Sequence, residues 1–157
     1  MSRTFPRLPD ILSNTLSPGE AFATIGRVMN FRVTARDNRG GYAYDTLKVT
    51  IPDFVGSFIV KAPGGGVTWV AGTRQIIRWD VANTSRAPVS CMGVTILLST
   101  DGGNTYPNVL AASTSNDGSE VITVPNIATS GARIKIEAIG NVFFNISNSN
   151  FTIALKP

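Results

Sequence analysis

A chain of 157 residues, 43% apolar and 15% charged, with no histidine and a single cysteine, has room for one full domain and part of a second. These counts exclude His-dependent triads, zincin motifs, His-ligated metals and an intramolecular disulfide. The net charge of +4, from 14 basic and 10 acidic residues, divides evenly between 1–55 and 56–157; no basic stripe with interleaved aromatics is visible along the chain, so nucleic-acid binding is not expected.

Residues 1–20 are rich in Pro, Ser and Asn and read as a loop or arm. They begin Met1-Ser2-Arg3 with no apolar leader core, and no run reaches the roughly 18 apolar residues of a membrane helix. Neither a signal peptide nor membrane insertion is expected within these residues. From Arg27 to Arg36 the chain alternates, with Met29, Phe31, Val33 and Ala35 on the apolar side. Asp37-Asn38-Arg39-Gly40-Gly41 predicts a turn, and Tyr44–Ile51 returns with Leu47, Val49 and Ile51 on one face. Asp37 and Asn38 also invite a calcium reading, but the paired carboxylates of such sites are missing and turn chemistry is favoured. A hairpin alone is marginal, so its apolar face is expected to pack on the rest of the chain or on a second copy, giving a homodimer through 27–51.

Pro52–Ser57 reads as a linker. Strands are then predicted at Phe58–Ala62, Val67–Trp69, Gln75–Val81, Gly93–Ser99, Val109–Ala112, Glu120–Val124, Ala132–Ile139 and Asn150–Leu155. Alternation is clearest at Ile77, Trp79 and Val81 against Arg78 and Asp80. It recurs at Ile134, Ile136 and Ala138 against Arg133, Lys135 and Glu137, a pattern that hides one face and wets the other. About eight strands in 100 residues predict an immunoglobulin-like β-sandwich over 56–157, preceded by an incomplete β module, arm plus hairpin, over 1–55. The fold class is all-β.

The octapeptide Ser99-Thr100-Asp101-Gly102-Gly103-Asn104-Thr105-Tyr106 has the form S-x-D-x-G-x-T-aromatic. It resembles the Asp-box hairpin of sialidases and other secreted β proteins, in which the box shapes a turn and performs no chemistry. Ser99, Asp101, Gly103 and Thr105 are its turn-forming residues. Trp79 reads as core, and Cys91 as a buried or loop thiol. Trp69 and Tyr106 have two readings, packing or contact with a sugar ring; burial favours the first and a coplanar exposed pair the second. Asp80, Asp101, Asp117, Glu120 and Glu137 are spread over turns and strand faces, so no facing carboxyl pair for glycoside hydrolysis is expected. Gly64-Gly65-Gly66 reads as a flexible turn, and no cofactor or metal is expected.

Two longer resemblances follow. Residues Phe31–Gly41 with Asp45–Ile51 look like the last two strands of a cadherin-like or PKD-like module. Residues 56–155 carry Ala62-Pro63-Gly64, Val67-Thr68-Trp69, Gly72 and Ile77-Arg78-Trp79, then Leu98-Ser99-Thr100-Asp101-Gly102-Gly103 and Phe144-Asn145-Ile146-Ser147. That order resembles the Ig-like region downstream of the catalytic domain in secreted reprolysin-like zinc metallopeptidases of Bacteroidetes-type bacteria. The protease motif of that family, H-E-x-x-H-x-x-G-x-x-H, is absent, so no catalytic residue carries over. The resemblance implies a non-catalytic accessory or adhesion module, secreted or at the cell surface, cut from a longer polypeptide. Its partner would be that polypeptide's catalytic domain or a surface glycan or protein. A carbohydrate-binding module using Trp69 and Tyr106 is the alternative.

Overall fold

The computed structural model describes residues 3–15, 17–23 and 25–157, and is all-β apart from one short helix. That helix, α1 (Leu8–Ser13), corrects the loop expected for the arm. Pro9 sits in its first turn, where a missing N–H costs nothing, and Asn14 closes it in the left-handed conformation (φ 54°). Six residues are too few to display a helical period, so only these two end signals were legible.

Strands β1 (Arg27–Arg36) and β2 (Tyr42–Ile51) form an isolated antiparallel ribbon. Asp37 builds the tip. Its Oδ1 accepts the amides of Arg39 (2.8 Å) and Gly41 (2.9 Å), while Asn38 and Gly40 take the positive φ values the reversal needs. Directly paired residues share a face. Met29 opposite Val49 and Phe31 opposite Leu47 set up the apolar face. Phe5 of the arm covers part of it, its ring meeting Phe31 edge-on at 5.2 Å. Val33 is 74% exposed, and Leu47, opposite Phe31, is 54% exposed, so the covering expected for this face is only partial.

The remaining strands share one core. A three-stranded sheet has the order β3 (Ile59–Ala62), β5 (Arg74–Asp80), β8 (Ser119–Thr123). Facing it, a larger sheet runs β4 (Thr68–Val70), β11 (Phe151–Ala154), β9 (Thr129–Ala138), β6 (Gly93–Ser99), β7 (Asn108–Ser115). A three-residue strand, β10 (Phe144–Ile146), pairs with the C-terminal half of β9. It is not among the expected strands. Strands β4 and β11 pair in parallel, Ile153 opposite Trp69, and every other pairing is antiparallel.

Ile77, Trp79 and Ile122 from the small sheet meet Val94, Ile96, Leu98, Ile134, Ile136, Phe151 and Ile153 from the large one, all buried. Alternation thus sent the anticipated residues inward. The far face of β9 departs from expectation. Arg133 is only 9% exposed and Lys135 is half-buried, not wetted. The reason lies outside β9: its outer face is roofed by side chains from the Asp-box loop and from β10.

Candidate functional site

The sequence predicts one structured turn, and the atoms show how it is made. Ser99 ends β6 fully buried. Its Oγ donates to Asp101 Oδ1 (2.7 Å) and accepts the amides of Gly103 (2.9 Å) and Asp101 (3.2 Å). Asp101 in turn accepts the amide of Thr105 at Oδ1 (2.9 Å) and the hydroxyl of Thr105 at Oδ2 (2.7 Å). The backbone at Gly103 favours glycine, and side chains crowd it. Its φ is +99°, and a Cβ there would lie 2.5 Å from Leu12 Cδ2 and 3.0 Å from the Tyr106 hydroxyl.

Donors from Ser99, then from the side chain and amide of Thr105, hold the Asp101 carboxyl well below the usual carboxylate range. A group whose folded pKa is depressed adds stability above its unfolded pKa, about 3.9, and loses it as pH falls toward the folded value. Thermal melts of Asp101→Asn should therefore show a midpoint a few degrees lower at neutral pH and a smaller drop than wild type below pH about 4. Parallel pH curves for the two proteins would contradict this assignment. Ser99→Ala, which strands the buried Gly103 amide, should cost about 1–3 kcal/mol in urea unfolding.

The turn sits on a cluster that sequence reasoning missed. Tyr106 lies beside Lys135, whose ammonium is 5.3 Å from the Tyr106 ring centre and 4.5 Å from that of Phe144. Lys135 also pairs with Glu137. Arg133 donates to Asn150 Oδ1 (2.7 Å) and to the Ser147 carbonyl (3.2 Å). Leu12 of α1 presses on Gly103 from above, and Asn14 Nδ2 donates to the Asn148 carbonyl (2.9 Å). The Tyr106 hydroxyl is buried without a hydrogen-bond partner, and burial pushes its pKa up.

Trp69 is elsewhere. It is 5% exposed and packs at 4.7 Å on Phe151 in the shared core. Trp69 and Tyr106 thus do not make a coplanar exposed pair. Trp79 is also interior, its indole N–H donating to Asn116 Oδ1 (2.9 Å). Cys91 is a buried free thiol that donates to the Gly93 carbonyl, with its pKa raised by burial.

The carboxylates have local partners. Glu120 accepts from Thr114 and Asp117 accepts the Ser119 amide (3.2 Å). Asp80 bonds Lys61 (2.7 Å) and the Ala82 amide (3.0 Å), which together lower its pKa. The fold does bring Asp80 and Asp117 to one hollow of about 450 Å³, with Asn83, Arg86 and Asn116, a juxtaposition that their 37-residue separation hides. General acid work needs one carboxyl held protonated, and Asp80 is shifted the other way. Among the described residues, no group of three or more Cys, Asp or Glu is placed to hold a metal ion, and no helix is long and apolar enough to cross a membrane.

The ribbon supplies the last feature. One of its faces collects Arg32, Arg36, Lys48, Tyr42 and Tyr44, all exposed. This corrects the sequence-level reading that no basic stripe with interleaved aromatics forms: the stripe is assembled across the hairpin, not along either strand. The chain matches no protein-family model, and no curated protein matches it.

Proposed function

We propose that this chain is a non-catalytic accessory module of an exported protein, an immunoglobulin-like sandwich that presents a β-ribbon for contact with a surface. The strand order supports the first half. Sheets β3-β5-β8 and β4-β11-β9-β6-β7 correspond to an A-B-E sheet against an A′-G-F-C-C′ sheet, with the parallel β4–β11 pair standing for A′ and G. The resemblance to the region downstream of reprolysin-like metallopeptidases supports an exported parent chain.

The observation that carries this reading is the ribbon. Two ten-residue strands project as a separate sheet with Val33, Leu47, Tyr42 and Tyr44 exposed. Large apolar and aromatic side chains exposed on both faces of a ribbon favour a partner that covers them. The sugar-platform reading of Trp69 and Tyr106 lacks such support, because Trp69 is spent on the core.

The test fuses the full chain to an inert fluorescent protein and applies it to bacterial cell-envelope fragments. Retention well above that of the fluorescent protein alone is the expected result. Retention no greater than that background would overturn the surface-contact reading.

A further inference from the structure

The register of the ribbon sorts its charge. Arg36 lies opposite Tyr42, Thr34 opposite Tyr44, Arg32 opposite Thr46 and Asn30 opposite Lys48, so all eight point to one side. Asp45 pairs with Val33 and falls on the other side. The face therefore bears three cations and no carboxylate. At the tip, Arg39 adds a fourth cation, while Asp37 spends its Oδ1 on the amides of Arg39 and Gly41. No salt bridge among the described residues involves Arg32, Arg36, Arg39 or Lys48.

Rows on one side of a ribbon repeat every ~7 Å. Arg36 and Arg32 are two rows apart and Lys48 is one row beyond, so the cations extend over roughly 20 Å. The guanidinium of Arg32 rests 4.5 Å over the Tyr44 ring, an arrangement that orients the cation before any ligand arrives. Tyr42 remains 69% exposed, beside a hollow of about 260 Å³ lined by Arg36, Asn38, Gly40 and Gly41.

We infer that this face is a binding site for an anionic polysaccharide of the polyuronate class. Carboxylates recurring along such a chain answer cations at several spacings, and the open Tyr42 ring offers a flat partner for one sugar. A single-stranded nucleic acid fits less well. Stacking platforms use successive open rings; here Arg32 covers one face of Tyr44, which leaves Tyr42 as the more open of the two rings. The inference rests on the surface-contact reading and gives it a face and a ligand class.

The experiment titrates the full chain calorimetrically with three probes: polygalacturonate oligomers, the same oligomers fully methyl-esterified, and oligo-deoxythymidine. Binding to the polyuronate should weaken with added salt, and esterification should weaken it about tenfold or more. The combined Arg32→Ala, Arg36→Ala, Lys48→Ala variant should lose about tenfold or more with its melting midpoint unchanged, since these side chains are exposed. Tyr42→Ala should lose about threefold. The site is overturned by absent polyuronate binding, by equal binding of the ester, by undiminished binding of the triple variant, or by tighter binding of the oligonucleotide. Envelope retention without polyuronate binding would overturn this site alone and leave the contact reading standing. Loss of retention by the unaltered chain would overturn the contact reading itself.

Discussion

Replacing Phe151 by alanine is expected to remove about 3–5 kcal/mol of unfolding free energy, the range for deleting a large buried ring. Phe151 is fully buried on β11, and its ring packs against Trp69 on β4, the strand beside it. The neighbours cannot close the gap easily. Trp69 is held by the β4 backbone, and the Ile134 and Ile153 that belong to the same core are themselves fully buried. In a chain of this size the melting midpoint should fall by on the order of 10 °C. Urea unfolding followed by tryptophan fluorescence measures it directly, and a loss below about 1 kcal/mol would mean that Phe151 does not fill the space between the sheets. Trp69→Ala belongs to the same experiment: its cost should be similar, so any ligand binding lost in that variant must be read beside its unfolding curve.

A second large effect comes from a polar residue. Asn116 is buried, and it is the hub through which three separate segments meet: it accepts from the Trp79 indole (2.9 Å) and donates to Thr84 Oγ1 (2.9 Å) and to the Cys91 carbonyl (3.0 Å). Asn116→Ala leaves an indole N–H and a carbonyl inside without partners. A stranded buried group costs about 1–3 kcal/mol, so a loss of about 2–4 kcal/mol is expected. The mechanism has its own check. In a Trp79→Phe background no indole N–H remains to be stranded, so the cost of Asn116→Ala should shrink by about 1 kcal/mol or more. Equal costs in both backgrounds would assign the effect to lost volume instead.

These two residues also mark what the sequence could and could not disclose. Trp79 was legible as core because it alternates with Ile77 and Val81, and the strands β1 and β6 occupy the expected spans because alternation is a local property of the chain. The Asp-box turn was legible for the same reason, the bonds of the Ser99 and Asp101 side chains closing within seven residues. Asn116 is not legible, since its partners at 79, 84 and 91 are brought to it only by the fold. The same holds for the roof over β9. Nothing in Arg133-Ile134-Lys135 announces that Tyr106 and Phe144 will cover its polar side. The basic face of the ribbon escaped notice because Arg32 and Arg36 lie on one strand and Tyr42, Tyr44 and Lys48 on the other. It exists only once the Asp37 turn sets which residues face each other.

The parallel pairing of β4 with β11 has a mechanical consequence. The chain enters the sandwich ahead of β4 and leaves it just after β11, and parallel strands place that entrance and that exit at opposite ends of the pair. Tension applied across the module, once it passes β3, would pull the two strands lengthwise past one another. The hydrogen bonds between them would then share the load together, where a hairpin pulled from its open end gives way one bond at a time. A module wired in this way would hold its shape under drag.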